Sequence, residues 1–363
     1  MKKATQKYLL PCLAIAFTIA LVGFALAENW PFSYENVSNP ISLAQVLDKR
    51  VGSIETDIAN LKAHANLGTG KVFYVDSAVG ADTYTGTTPA TATATIDAAV
   101  NLCEASRGDV IYVMQGHAET FIAQSLDVDV IGVTIIGLGN GSLRPTITYN
   151  HANAEVAIGA DNCSISNMRF VSSVTGVLMG IEVEDGVDYF TITDCEFTDA
   201  GDAVGDDEFV EAINFVNNNT GCTIERCRFN AKAAGAASAI MLDADTNQLT
   251  IRNNDIRGDY SVACIAGDTT ASTDILIQGN LLINGSLVAD TGINTVAAIS
   301  LLEATAGLIC DNRIVSDVGS AALMRIADDC VFMNNYVSDT DGDEFSGTKE
   351  DDATSVTGFV DGD

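Results

Sequence analysis

CSISNMRF at 163–170, FTITDCEF at 190–197, CTIERCRF at 222–229 and LTIRNNDI at 249–256 are four versions of one eight-residue phrase. ILIQGNLL at 275–282, GLICDNRI at 307–314 and CVFMNNYV at 330–337 continue it. The start-to-start intervals are 27, 32, 27, 26, 32 and 23 residues. A unit of this size cannot bury its apolar face alone, so it must stack on copies of itself, which predicts a solenoid. The third column of the phrase is Ile165, Ile192, Ile224, Ile251, Ile277, Ile309 and Phe332. The eighth is Phe170, Phe197, Phe229, Ile256, Leu282, Ile314 and Val337. Strand alternation sends both columns inward. The sixth column runs Met168, Cys195, Cys227, Asn254, Asn280, Asn312, Asn335. Four successive Asn at one turn predict a ladder in which each amide bonds to the next coil. The seventh begins Arg169, Glu196, Arg228, Asp255. Strands ~4.8 Å apart would set these opposite charges side by side.

Each coil carries a second strand upstream of its phrase, as at Ala212–Phe215, Ala239–Leu242, Ala297–Leu301 and Ala321–Ile326. At least nine coils from residue 110 onward would rise by roughly 40 Å. Ahead of them, Val72–Val75 reads as a strand, Gly80, Gly86 and Pro89 punctuate a loop, and Thr95–Ala105 reads as a short amphipathic helix. Gly108-Asp109 then turns into the strand Val110–Val113. This opening stretch and the repeat resemble the right-handed parallel β-helix proteins of the pectate-lyase-like superfamily. Tyr74-Val75-Asp76, Gly80-Ala81-Asp82, Thr95-Ile96, Ala98-Ala99 and Gly108-Asp109-Val110-Ile111-Tyr112-Val113 carry the likeness. It implies an all-β, right-handed parallel β-helix solenoid over residues 71–337, with an N-terminal capping helix at Thr95–Ala105. The superfamily holds polysaccharide lyases and hydrolases, epimerases, phage tailspikes and non-catalytic adhesins.

The flanks read differently. Residues 1–27 have a short basic start, an apolar run from Leu9 and the ending Ala25-Leu26-Ala27, a secretory signal peptide by pattern. Residues 28–70 are a linker and a helical segment in which Leu47, Val51, Ile54, Ile58, Leu61 and Ala65 form a heptad seam, either a packed helix or a short oligomerising stalk. Residues 338–363 are an acidic tail. The whole chain of 363 residues has 49 Asp+Glu against 18 Lys+Arg, a net charge of −31. Such a balance opposes binding to nucleic acid, which relies on Lys and Arg, and docking on anionic membranes. No later segment could span a membrane. Three His and no CxxC pair argue against zinc. Export would permit disulfides; Cys195 and Cys227, in one column of adjacent coils, could bridge or stay as buried thiols.

For chemistry, the outward positions of the phrase offer a single carboxylate, Glu225, so the calcium constellation of the family lyases is absent there. The Gly-His-Gly and Arg-Ile-Lys segments of family polygalacturonases are absent too. His117 and His151 read as turn residues. Calcium, the one cofactor considered, has two candidate sites. One is the acidic insertion between Asp199 and Glu211, with Asp202, Asp206, Asp207 and Glu208; the other is the tail, with Asp339, Asp341, Asp343 and Glu350 at EF-hand-like spacing. The leading expectation is an exported, extracellular surface or binding protein that engages a polysaccharide or cell-surface glycan without catalysis. The alternative is a polysaccharide lyase or glycoside hydrolase using acidic loop residues, and a third is a tailspike-like fibre on a phage virion. From the second and fourth columns turning apolar toward the C-terminus (Leu276, Leu308, Val331, Cys310, Met333), a homotrimer or other homo-oligomer is expected.

Overall fold

Each eight-residue phrase folds as two short strands hinged at a residue in the left-handed region. A computed structural model describes residues 70–122, 126–200, 207–231, 235–285, 297–302, 304–316, 324–325 and 329–339. The expected signal peptide and heptad stalk lie outside the described residues, as does the tail beyond residue 339. The hinge residues are Asn167, Asp194, Arg226, Asn253, Gly279, Asp311 and Asn334, with φ between 52° and 65°. Asn, Asp and Gly tolerate this region, which is why polar residues recur there.

The hinges divide every coil among three parallel sheets. Sheet A has 10 strands from Val72–Val75 to Cys330–Met333, sheet B has 9 from Ala118–Phe121 to Tyr336–Asp339, and sheet C has 8 from Leu126–Val128 to Met324–Arg325. This all-β, parallel architecture is consistent with the right-handed β-helix solenoid. The register is that of the sequence columns. Ile165 pairs with Ile192, Ile192 with Ile224, and Ile224 with Ile251 in sheet A. Phe170, Phe197 and Phe229 pair in sheet B, their rings stacked at 4.8 Å between successive centroids. These side chains are fully buried and form one continuous core with the inward residues of sheet C, such as Ile181, Ile213 and Ile240.

The Asn ladder is present. Asn280 Oδ1 accepts from the backbone N–H and the Nδ2 of Asn254, at 2.9 and 3.0 Å, and Asn312 Oδ1 does the same for Asn280. In the earlier coils sulfur takes over: the Met168 N–H donates to Cys195 Sγ at 3.4 Å. Cys195 and Cys227 remain thiols, as do the other six cysteines among the described residues. Burial pushes the Cys227 thiol well up, and the neighbouring Cys195 adds to this.

Two expectations change. The helix expected over Thr95–Ala105 covers only Ile96–Val100, with Thr95 Oγ1 accepting from the Ala98 N–H at 3.2 Å. It buries Ile96, Ala99 and Val100 against the first coils. It ends early because the following turn serves Asp109, whose carboxylate accepts from the Glu104 N–H at 2.9 Å and pairs with Arg107. The seventh-column charges also pair only in part. Arg169 meets Glu196 at 2.9 Å, but Asp255 turns to Arg257 on its own strand at 2.6 Å, leaving Arg228 out.

Candidate functional site

The outer face of sheet C gathers carboxyls from neighbouring strands without arginine partners among the described residues. In the strand Val177–Val183, Ile181 and Val183 point into the core, so Glu182 and, one step on, Glu184 point out. The strand Val156–Ile158 lies beside it with Ala157 opposite Glu182. Glu155 therefore projects from the same face, diagonal to Glu182. On the far side of Val156–Ile158, the strand Leu126–Val128 presents Asp127 opposite Ala157. On the other flank, Asn214 of Phe209–Phe215 sits opposite Glu182.

Small residues keep the floor of this face open. Ala157 is buried beneath it, and Gly159 has no side chain where one would collide. A Cβ at Gly159 would lie 3.0 Å from Glu184 Oε2 and 3.7 Å from Asp127 Oδ1. Both oxygens therefore border the space above Gly159, no more than about 7 Å from each other.

The electrostatics follow from crowding. Glu155 and Glu182 crowd each other on this face, and their charges repel when both are ionised. Burial first, then the charge of Glu155, push the Glu182 carboxyl above its ordinary value. Glu184 is also raised, by burial and then by Asp127 and Glu182. Asp127 is raised by burial and then by Asp129 and Asp97. Further along the face, Asn214 Nδ2 donates to Asp243 Oδ2 at 3.0 Å and to Glu211, whose pKa burial raises. Asn214 is 2% exposed, and its Oδ1 is buried without a hydrogen-bond partner. Among the described residues no Lys or Arg forms an ion pair with Asp127, Glu155, Glu182 or Glu184.

Of the residues singled out from sequence for calcium, only Asp207, Glu208 and Asp339 are among the described ones. Asp202, Asp206, Asp341, Asp343 and Glu350 lie outside the described residues, and Asp339 ends the last strand of sheet B. Asp207 and Glu208 lead into Phe209–Phe215; Glu208 is 5% exposed with Oε2 unpartnered. Among the described residues no three His, Cys, Asp or Glu gather as a metal-holding group. His117 is buried at a turn, its Nδ1 accepting from the Ser77 N–H at 3.0 Å, and His151 Nδ1 accepts from the Asn153 N–H at 3.1 Å. The acidic face itself escaped the sequence reading, which placed strands of sheet C only from Ala212–Phe215 onward, past the coils that carry Glu155, Glu182 and Glu184. The signal was there in Ile181-Glu182-Val183-Glu184, apolar and acidic residues alternating as a half-buried strand does.

No protein-family model and no curated protein matches the sequence. Among solved structures, pectin methylesterase from Aspergillus niger is similar at 15% identity and a TM-score of 0.46, covering 80% of this chain and 91% of that one. A GH136 lacto-N-biosidase from Eubacterium ramulus is similar at 12% identity and a TM-score of 0.39, covering 82% of this chain and 68% of that one. The parallel, all-β architecture itself rests on the three sheets described above. Among the described residues no helix is long and apolar enough to cross a membrane.

Proposed function

We propose that this chain is a carbohydrate-active β-helix protein that hydrolyses a glycosidic bond on the outer face of sheet C. The row of carboxyls on adjacent strands of sheet C, with Glu155 crowding Glu182 and no Lys or Arg paired to either among the described residues, carries the reading, because a carboxyl raised above its ordinary range is what a general acid must be. In this scheme Glu182 gives its proton to the glycosidic oxygen. Glu184 or Asp127, ionised across the open strip at Gly159, takes a proton from the attacking water. The bond from the anomeric carbon to the glycosidic oxygen breaks, the water oxygen bonds to that carbon, and both carboxyls return to their starting protonation by exchange with solvent.

The same observation separates this from the alternatives. A β-eliminating lyase needs a strong base such as Arg or Lys near the sugar, and the described strands of sheet C from Leu126–Val128 to Ile299–Ser300 contain neither. A face of unpaired carboxyls repels polyuronates, so the glycan cleaved here is neutral. The leader-like residues 1–27 support placing the protein outside the cell. The test is reducing-end release from a panel of neutral and acidic polysaccharides by the wild-type chain and Glu182→Gln. Turnover of at least one neutral glycan, lost by 100-fold or more in Glu182→Gln, is expected. Binding without turnover by both proteins would return the chain to the non-catalytic, glycan-binding reading.

A further inference from the structure

A second feature lies at the corner where sheet A turns into sheet B. All seven arginines between residues 140 and 313 belong to this corner or to sheet B: Arg144, Arg169, Arg226, Arg228, Arg252, Arg257 and Arg313. In a chain of net charge −31 that is a pronounced local reversal. Arg144, Asp194, Cys195, Glu196, Arg226 and Arg228 line an open cavity of about 210 Å³ there.

Three details point to an anion. Arg226 occupies the left-handed hinge, φ 52°, which the other coils give to Asn, Asp or Gly. A long side chain there costs backbone energy, and its retention beside a cavity is the kind of local strain that marks a binding position. Its guanidinium is fixed by a two-pronged bond to Asp194, both at 2.9 Å, and by Glu225 at 2.5 Å. Arg228 stands in register between Glu196 and Asp255, but each of those has another partner: Glu196 is held by Arg169 at 2.9 Å and Arg144 at 3.6 Å, and Asp255 by Arg257. The exposed Arg228 fork has no partner among the described residues. Arg144 Nε is buried and has no hydrogen-bond partner either. One exposed guanidinium fork, that of Arg228, is thus left unused at the rim of the cavity, and the planar fork of Arg matches carboxylate and sulfate oxygens. At physiological salt the screening length is about 8 Å, so the acidic face of sheet C does not cancel this local field.

We infer that this corner binds the carboxylate or sulfate group of an acidic saccharide, at a site distinct from the carboxyls of sheet C. Binding here does not depend on hydrolysis at that sheet. It is tested by calorimetric titration of the full chain with trigalacturonate, a sulfated trisaccharide and neutral maltotriose. Binding of at least one anionic probe, none of maltotriose, and an affinity that falls with salt are expected. Comparing the two anionic probes tells carboxylate from sulfate preference. Arg226→Asn restores the residue type that other hinges use, so the fold is kept, and it should weaken binding tenfold or more. Arg228→Gln should do the same, while Arg313→Gln on sheet B should leave the affinity unchanged. Absence of heat with both anionic probes, or equal losses in all three variants, would overturn the assignment. So would salt-sensitive self-association that Arg228→Gln abolishes in a protein that binds neither probe, since the corner would then serve a second copy of the chain.

Discussion

Truncating one rung of the Asn ladder has a calculable cost. Asn280 is 1% exposed and makes four side-chain hydrogen bonds. In Asn280→Ala, Asn254 Nδ2 keeps the Ile224 carbonyl at 3.0 Å, and Asn312 Oδ1 keeps the residue 280 N–H at 2.9 Å. Two groups lose their partner. The buried Asn254 N–H loses the Oδ1 that it meets at 2.9 Å, and the Ile251 carbonyl loses the Nδ2 that donates to it at 2.9 Å. An orphaned buried donor costs about 1–3 kcal/mol and a half-satisfied carbonyl less, for a total of roughly 2–4 kcal/mol. Asn280→Cys should cost less than the Ala variant, because the chain itself puts Cys195 in this column and uses its Sγ as the acceptor for the Met168 N–H. Urea unfolding followed by far-UV circular dichroism gives the difference in midpoint at constant slope. An unchanged midpoint in Asn280→Ala, or a Cys variant less stable than the Ala one, would reject the ladder as a source of stability.

Gly159→Val should fill the strip between Glu184 and Asp127, reducing hydrolysis at least tenfold while moving the unfolding free energy by less than about 1 kcal/mol, since Gly159 is exposed; unaltered turnover would remove Gly159 from the site. Stability should depend on pH in a definite direction. The folded pKa values of Glu155, Glu182, Glu184 and Glu211 are raised, so the folded chain holds these protons more tightly than the unfolded one. That contribution is complete below the ordinary Glu value of 4.5 and is lost as pH rises through the raised values, so the urea midpoint should fall from pH 5.5 to pH 8. Glu182→Gln should flatten this trend; a slope identical to wild type would assign it to net charge alone. On the C-terminal end of sheet A, Val331 is 56% and Met333 47% exposed, while Leu276 and Leu308 are half-buried and Cys310, expected outward, is covered. Association through this apolar strip should tighten as salt screens the net negative charge, and light scattering that gives a monomer at both low and high salt would sink the oligomer.

The parts of this molecule that repeat were readable, and the parts that vary were not. Ile165 through Ile309 and Phe170 through Ile314 recur at fixed places in a phrase of constant length, so register could be counted without coordinates. Asn254 to Asn335 were readable as a ladder for the same reason. Sheet C has no such phrase: its strands run from the seven residues of Val177–Val183 to the two of Ile299–Ser300, behind loops of unequal length. Glu155 and Glu182 come from different coils and meet only through that variable register. Nor could the charge column reveal that Asp255 prefers Arg257 to Arg228, because the choice lies in side-chain rotamers. The free guanidinium at the hinge corner is a consequence of that choice.

The acid role of Glu182 is tested most directly by a site-resolved titration of Glu155 and Glu182 by carboxyl carbon NMR, each assigned by its Gln variant. Glu182 should titrate above the ordinary Glu value of 4.5, and removing Glu155 should bring it back toward that value. Titration of Glu182 at 4.5, unchanged when Glu155 is replaced, would contradict the acid–base role assigned to sheet C.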